Sequence, residues 1–531
     1  LNLQEYLYRH SMKKKYVRWT LWTIASPFIL FIILCILIYL PPIQNFLVDK
    51  AAVYASEATG MNISVGRISL SFPLNLVVTN VDAASPHNDT LLSVRRLQVN
   101  VQLLPLLKKQ VEVDGISLQG ATVNSNDLIH GMKLNGTLGE LFISSHGVAL
   151  DPETAIVNKV LLKDTDLSLC LNDTAAADTA ASDTTYWKII LQDIDLQNVS
   201  FALDMPLDSL SLAASLDNAI LRDGLIDLHK SAYSLQTFRI ENGRVRYDNG
   251  KPLAADSLSS GLDPSHIALT DIGVKLDSLY YGGRNMKAII SQFVLKERSG
   301  VEIVSATGRM VSNDKVLRVP SLKLETRDSY LELNAAMDWN ALDFKGEGLM
   351  SARLMADIGK PDVVRFMGRM DEKFVRQYPS EPLRIRTGID GDLNKLKLTT
   401  LTAELPGALG LFARGELTHL TDSLLRGGDI TLEAETKDLK FVSTLAEGIE
   451  IPYGTRLEGK FTMAGTKMGT DLLLMQPEAQ AVVAADTIPI TVYNDSISVA
   501  DDFKMERAAR LFAKYDLSRD RYEADLAVNH F

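Results

Sequence analysis

Cysteine is nearly absent from this chain of 531 residues, which contains only Cys35 and Cys170. Two cysteines this far apart along the sequence exclude a disulfide framework. Neither has a CxxC partner, and the eight histidines stand as single residues, so no cluster has the spacing of a zinc site. We therefore predict no metal site.

Catalytic motifs are missing as well. The sequence has no GxSxG elbow, no GxxxxGK[ST] loop, no HExxH motif and no GxGxxG after a strand. Gly346-Glu347-Gly348 approaches a nucleotide-binding loop but lacks the third glycine. Acidic residues are numerous, yet their spacing selects no pair as general acid and base. We expect neither an enzyme nor a bound cofactor.

Basic residues are outnumbered, with 55 Lys and Arg against 66 Asp and Glu and a formal net charge of −11. A nucleic-acid-binding protein needs a basic face to displace counterions from phosphates, so this balance argues against such a partner. Hydrophobic residues make up 46% of the chain and charged residues 23%, which are the proportions of an ordered protein.

A long apolar segment lies near the N-terminus, because no charged residue occurs between Arg18 and Asp49. As a helix, residues 19–40 would span roughly 33 Å, enough to cross the hydrocarbon core of a bilayer. We predict a transmembrane anchor over residues 16–40, since a cleaved signal peptide would have a shorter apolar run. Its membrane-contacting side chains would be Trp19, Trp22, Phe28, Phe31, Leu34, Leu37 and Tyr39.

The charges that flank this segment predict its orientation. Basic residues precede it, whereas Asp49 and Lys50 cancel after it. The positive-inside rule then places residues 1–15 in the cytoplasm and the bulk of the chain across the membrane. The orienting residues are Lys13, Lys14, Lys15 and Arg18.

The spacing of apolar residues divides the rest of the chain. Helical spacing predicts an amphipathic helix over 41–60, ended by Gly60. From Met61 the period changes to 2, which indicates strands with one apolar face. We predict β-structure over 61–171, 186–350 and 379–531, interrupted by a flexible linker at 172–185 and a helical insertion at 351–378. Because the strand pattern still runs at Phe531, we expect a C-terminal part beyond it.

A local pattern recurs along the β-rich part. The pattern begins with two apolar residues separated by one position. Two residues of any kind follow, and then a small or apolar residue, after which apolar residues again occupy every second position. The two-residue offset favours a bend or bulge inside the strands. Residues of this pattern are our candidates for the lining of an apolar groove: Ile116, Leu118, Leu167, Leu169, Ile194, Leu196, Phe201, Phe238, Ile240 and Val245.

Two stretches resemble a known family. Residues 39–81, which begin YLPPIQNFLVDKAAVYASEATG, and residues 89–125, which end VEVDGISLQGATVNS, resemble the N-terminal part of TamB-like proteins of the AsmA-like superfamily, in a form like those of Bacteroidota. Residues 321–339 and 407–420 resemble further strands of the same architecture. The C-terminal domain by which TamB proteins are usually defined has no counterpart in these 531 residues.

The resemblance implies a mainly β fold. An N-terminal transmembrane helix would be followed by a long, twisted antiparallel sheet that curls into an open apolar groove, with a few short helices. It also implies a single-pass protein of the bacterial inner membrane, with its N-terminus in the cytoplasm and its bulk in the periplasm. The cargo would be phospholipid acyl chains that move toward the outer membrane.

Other functions fit the same pattern. The first alternative is a scaffold for outer-membrane protein assembly or protein secretion with a TamA- or BamA-type barrel as partner, which exposed strand edges would favour. The second is an adhesive ectodomain of dry β-sandwiches without cargo. Alternation alone does not separate these from a lipid groove, since each uses strands with one apolar face.

Overall fold

The computed structural model describes residues 50–529 except for gaps at 51, 54–55, 57–59, 72–74, 86–89, 102–112, 126–130, 151–152, 173–185, 251–260, 343–346, 368–370, 446–452 and 478–504. The prediction of a mainly β fold is confirmed, with only a few short helices beside 24 strands in the described residues. The chain divides into two compact units, residues 1–207 and 208–531.

The predicted membrane anchor at 16–40 and the basic residues before it lie outside the described part of the chain. Within that part, no helix combines the length and the apolar character needed to cross a membrane. Of the predicted amphipathic helix at 41–60, five residues are described: Lys50, Ala52, Val53 and Ser56 are helical, and Gly60 lies in a turn.

In its described residues, the first unit is a sheet of seven strands in chain order. Each strand pairs with the next, and the pairs from β1 to β6 are antiparallel. Its strands are β1 (Asn62–Ser71), β2 (Asn75–Ala84), β3 (Thr90–Val101), β4 (Val113–Asn124), β5 (Met132–Leu150), β6 (Glu153–Leu171) and β7 (Lys188–Met205).

One pair departs from the predicted antiparallel sheet. Strands β6 and β7 run parallel over most of their length, from Thr154 and Lys188 to Cys170 and Asp204. A parallel pair needs a crossover of about a dozen residues or more, and residues 172–187 between the strands are long enough to provide one. The predicted linker at 172–185 falls on this connection, and the compact units divide after it, at 207.

In each strand of the first unit, at least one residue has no register partner on the neighbouring strand. One such residue in each strand belongs to a column that crosses the sheet, at the two-residue offset of the recurring sequence pattern. The residues left out of the ladder at this column are Gly66, Asn80, Arg95, Gly120, Gly139, Asp164 and Asn198. Four of them have positive φ, near 50–60°: Asn80, Gly120, Asp164 and Asn198. At Gly139 a Cβ would lie 2.7 Å from the Asp164 Cβ, so only glycine fits there. One extra residue per strand lets the alternation resume with the apolar side chains on the same face.

The second unit is a longer antiparallel sheet. Strands β9 and β10 both lie between β8 and β11, and from β10 onward each strand pairs with the next. Its strands are β8 (Leu210–Asp227), β9 (Ala232–Leu235), β10 (Thr237–Asp248), β11 (His266–Gly282), β12 (Asn285–Glu297), β13 (Glu302–Ser312), β14 (Val316–Thr326), β15 (Tyr330–Asp338), β16 (Met350–Ile358), β17 (Leu383–Gly391), β18 (Lys395–Leu405), β19 (Leu409–Thr418), β20 (Gly427–Thr436), β21 (Arg456–Ala464), β22 (Lys467–Pro477), β23 (Met505–Asp516) and β24 (Arg521–Val528).

The helical segment is shorter than the predicted insertion at 351–378. Residues 351–358 belong to β16, which pairs with both β15 and β17. Backbone hydrogen bonds to the two neighbouring strands outweigh the helix propensity of Ala352, Leu354 and Met355. The helices that follow are α1 (Lys360–Met367) and α2 (Glu372–Gln377), and three 3-10 helices are η1 (Pro206–Asp208), η2 (Trp339–Leu342) and η3 (Lys440–Thr444).

Helix α2 and η3 form a small aromatic core, here called the helical cap. Phe374, Tyr378 and Phe441 are buried and pack with ring centroids 5.1–5.8 Å apart. Leu405 at the end of β18, Ala408 in the turn to β19, and Leu439 also belong to this core. The cap therefore lies at the strand ends.

A buried carboxylate fixes α1 to the same strand ends. Asp362 is fully buried and accepts hydrogen bonds from Thr326 Oγ1 and from Ser329 Oγ, the latter at 2.6 Å. Arg365 Nη1 lies 2.9 Å from Asp362 and 2.7 Å from Asp328. Burial lowers the pKa of Arg365, but its hydrogen bonds to the two carboxylates outweigh burial and raise that pKa above its usual value.

Candidate apolar binding surface

In the first unit, register partners form rows that are apolar from β1 to β7. In a sheet, directly opposite residues point to the same face, so each row lies on one face. One row consists of Ile68, Val78, Leu97, Leu118, Leu141, Leu162 and Leu196, and the next of Leu70, Leu76, Val99, Ile116, Ile143, Val160 and Ile194.

In the second unit, one row crosses sixteen strands without a charged residue. It contains a single polar residue, Thr387, and we call it the long row. Its members are Leu221, Phe238, Leu276, Ile290, Gly308, Leu322, Leu333, Leu354, Thr387, Leu401, Ala413, Leu432, Gly459, Leu472, Leu511 and Leu526.

A parallel row two positions away has the same character, which makes the face broad as well as long. It is apolar at every position from β13 to β24: Ala306, Leu324, Leu331, Ala356, Ile385, Ala403, Leu411, Ala434, Leu457, Leu474, Ala509 and Val528.

The opposite face of this sheet carries charge. Side chains of neighbouring strands form ion pairs such as Arg386–Asp357 at 2.8 Å and Arg510–Asp471 at 2.6 Å. Their side chains are 37–47% exposed, so this face contacts solvent. The hydrogen bond from Arg510 holds the pKa of the Asp471 carboxyl below its usual value. The sheet therefore has one charged face and one apolar face.

Four glycines mark positions where neighbouring strands approach each other closely. A Cβ at Gly136, Gly391, Gly415 or Gly428 would lie 2.0–2.2 Å from a carbonyl oxygen of the neighbouring strand. Gly136 is a register partner of Val123 and Leu167, and Gly415 of Leu398 and Ile430, so these glycines stand in apolar rows. Glycines at such positions allow close backbone approach and sharp curvature.

The apolar face is only partly covered. Small residues between larger ones are buried, and Ala356 and Ala413 are each 2% exposed. Larger apolar side chains in both units keep considerable exposure: Ile116 is 37% exposed and Phe201 38% in the first unit, and Phe461 is 40% exposed in the second. A dry sandwich core would bury side chains of this size, whereas a binding surface for an apolar ligand would leave them accessible.

The sequence-predicted lining residues lie on four strands. Ile116 and Ile194 share one row, as do Leu118 and Leu196. Leu167 lies directly opposite Phe201, and Leu169 opposite Leu203. Phe238 belongs to the long row, Ile240 lies between Ala219 and Val274, and Val245 lies between Ala214 and Leu269. All ten therefore have an apolar residue as a direct register partner.

Sequence reasoning missed the members of the long row in β12–β24. The signal was present in triplets such as Leu322-Lys323-Leu324 and Leu331-Glu332-Leu333, but alternation alone gives no register between strands. No His, Cys, Asp or Glu cluster in the described ranges is suited to hold a metal ion.

Comparison with known proteins identifies no family for this chain. No protein-family model and no curated protein matches this chain. Among solved structures, the crystal structure of Pseudomonas aeruginosa OccK11 (OpdR) aligns at 8% identity over 82% of this chain and 92% of that chain, with a TM-score of 0.13. A TM-score this low carries no argument about fold or function.

Proposed function

We propose that this chain is a TamB-like protein of the AsmA-like superfamily that conducts phospholipids across the periplasm toward the outer membrane. In this proposal residues 16–40 anchor it in the bacterial inner membrane and the β-rich part carries the acyl chains. No catalytic step and no cofactor is required. The observation that carries the proposal is the long row, which stays free of charge across sixteen strands.

The length of this surface fits transport better than packing of a single core. Sixteen strands at about 4.8 Å spacing extend over roughly 70 Å, and a continuous apolar strip of that length exceeds what one small core needs. Acyl chains placed along it would gain about 0.8 kcal/mol for each buried methylene. A surface made mostly of leucine and alanine offers many similar positions, so a lipid can move along it without a deep energy minimum.

Close backbone approach at the glycines also supports this function. At Gly391, Gly415 and Gly428 the neighbouring strand lies too close for a side chain, and glycines at such positions permit sharp curvature. In this proposal the apolar face is the concave side of each bend. The charged face is then convex and meets water. An open groove of this kind would hold acyl chains inside and leave phospholipid headgroups at its opening.

Site-specific photo-crosslinking tests this proposal. A photoreactive phenylalanine analogue is placed at Leu432, on the long row, or at Thr431, the adjacent residue on the charged face. After irradiation in Gram-negative cells, we expect phospholipid adducts by mass spectrometry from position 432 and none from position 431. Absence of lipid at both positions, with protein adducts at 432, would favour the assembly scaffold instead.

A further inference from the structure

Another uncharged row crosses the apolar face of the second unit, near the strand ends that lie away from the helical cap. On most strands it stands four positions from the long row, which keeps it on the same face. We call it the methionine row. Its members from β11 to β23 are Tyr281, Met286, Ser312, Leu317, Met337, Met350, Gly391, Leu396, Leu417, Gly428, Met463, Met468 and Tyr515.

Methionine is concentrated in this row. It contains five of the 15 methionines of the chain, whereas the long row and the parallel row beside it contain none. Four of the five form two pairs of directly opposite residues, Met337 with Met350 and Met463 with Met468. Oxidisable thioethers therefore lie together along one side of the apolar face.

The methionine row is accessible to water and to small dissolved oxidants. Met468 is 38% exposed, Tyr281 is 47% exposed, and the other four methionines of the row are half-buried. The opposite strand ends differ, because the helical cap buries Phe374 and Leu405 there. Since oxidation of methionine follows exposure, this side of the apolar face is the one on which thioethers meet an oxidant from solvent.

Peroxides oxidise a methionine thioether without help from a catalytic group. A sulfur lone pair attacks one peroxide oxygen, the O–O bond breaks, and an S–O bond forms. Sulfur is oxidised by two electrons, and hydrogen peroxide is reduced to water, which takes the proton of the transferred oxygen. The product is a sulfoxide, a polar group in place of an apolar one.

We propose that the methionine row is a site of oxidation by peroxides, and that its sulfoxides weaken the binding of acyl chains to the apolar face. Met463 and Met468 lie directly opposite each other, so oxidation of both brings two polar oxygens together in one row. An acyl chain that covers them would bury these oxygens without a hydrogen-bond donor, which is unfavourable. The loss of lipid rests on the proposed function, whereas the modification rests on the row itself.

Peroxide treatment of the full chain in detergent tests the proposal. Hydrogen peroxide is the oxidant and is then removed with catalase. Peptide mapping by mass spectrometry measures sulfoxide at each methionine, and lipid extraction measures the phospholipid that stays bound. We expect sulfoxide at the two opposite pairs of methionines and at least about threefold less phospholipid than before treatment. Circular dichroism checks that the oxidised chain remains folded.

Leucine substitutions assign the effect to the row. Met337→Leu/Met350→Leu/Met463→Leu/Met468→Leu keeps the size and apolar character of the side chains but removes the thioethers, so this variant should retain its lipid after peroxide. Met355→Leu/Met475→Leu changes methionines on the charged face, opposite Arg386 and Arg456. This control should lose lipid as the wild-type chain does.

A glutamine variant separates polarity from other effects of peroxide. Met463→Gln/Met468→Gln should lower the bound phospholipid without any oxidant. Absence of sulfoxide in the row at a peroxide dose that oxidises Met367, which is 46% exposed on α1, would overturn the proposal. Equal loss of lipid from the wild type and the four-leucine variant, or full lipid in the folded glutamine variant, would also overturn it. Wild-type chain without phospholipid before treatment would contradict the proposed function and with it the loss of lipid, while the peptide map would still decide the modification.

Discussion

Leu472 of β22 lies over Gly459 of β21, so that a Cβ at position 459 would come within 2.8 Å of the Leu472 Cδ2. The two residues are direct register partners in the long row. Leu322 and Gly308 have the same relationship, also at 2.8 Å. Neighbouring leucines thus cover the glycine positions, and the apolar surface continues across them.

The glycine bends predict a sharp difference between two alanine substitutions in β19. Gly415→Ala places a Cβ 2.2 Å from the Asp429 carbonyl oxygen, whereas Gly410 has no atom within 4 Å of the added group. We expect Gly415→Ala to lower the free energy of unfolding by about 1–3 kcal/mol and Gly410→Ala to be nearly neutral. Denaturant unfolding measures both, and equal stability of the two variants would contradict the bend.

The helical cap predicts a contrast between two phenylalanines. Phe374 is 1% exposed in the aromatic core, whereas Phe366 is 57% exposed on α1. Phe374→Ala should cost about 3–5 kcal/mol of unfolding free energy, because a large cavity replaces the ring. Phe366→Ala should stay within about 0.5 kcal/mol. A small effect at Phe374 would show that the cap contributes little to the sheet.

The cap also predicts a loss of stability at alkaline pH. Burial raises the pKa of Tyr378 above its usual value near 10. The folded state then binds more protons than the unfolded state above that value, so the contribution of Tyr378 is complete below pH 10 and is lost as pH rises through its folded pKa. Unfolding measured from pH 8 upward should show this loss, and Tyr378→Phe should reduce it. An unchanged slope in that variant would assign the loss to other groups.

The buried Asp362 predicts a large penalty for a nearly isosteric change. Asp362→Asn removes the charge that faces Arg365 and alters the hydrogen bonds with Thr326 and Ser329. Because Arg365 is 25% exposed and keeps its ion pair with Asp328, the change should cost about 1–3 kcal/mol. Glu372→Gln, at a side chain that is 91% exposed, is the control and should be neutral. Thermal unfolding of both variants distinguishes a buried anchor from a surface ion pair.

The strands could be predicted from the sequence, but the pairing between them could not. Alternation at residues such as Ile116 and Leu118 predicts a strand with one apolar face, and the structure has β4 there. The positions of Asn80, Asp164 and Asn198 also fit the column of unpaired residues, because the short polar side chains of asparagine and aspartate tolerate positive φ.

Register and strand direction were beyond such reasoning. Parallel and antiparallel strands share the period of 2, so nothing in β6 or β7 marks them as a parallel pair. The long row exists only when sixteen strands are aligned, and a shift of one residue in strands such as β16 or β20 can place the charge of Arg353 or Glu433 in it. The Ala- and Met-containing segment 351–358 suited a helix, and pairing on both sides made it a strand.

The most direct test of the central claim is native mass spectrometry, with lipid extraction, of the full chain purified in detergent. We expect phospholipid to copurify with the wild-type chain and to be lost from Leu333→Asp/Leu354→Asp, which places two charges in the long row. Asn334→Asp/Arg353→Asp, the adjacent partnered pair on the charged face, should retain the lipid. Circular dichroism must show that both variants remain folded. Folded wild-type chain without lipid in several detergents, or equal retention in both variants, would contradict a lipid-bearing groove.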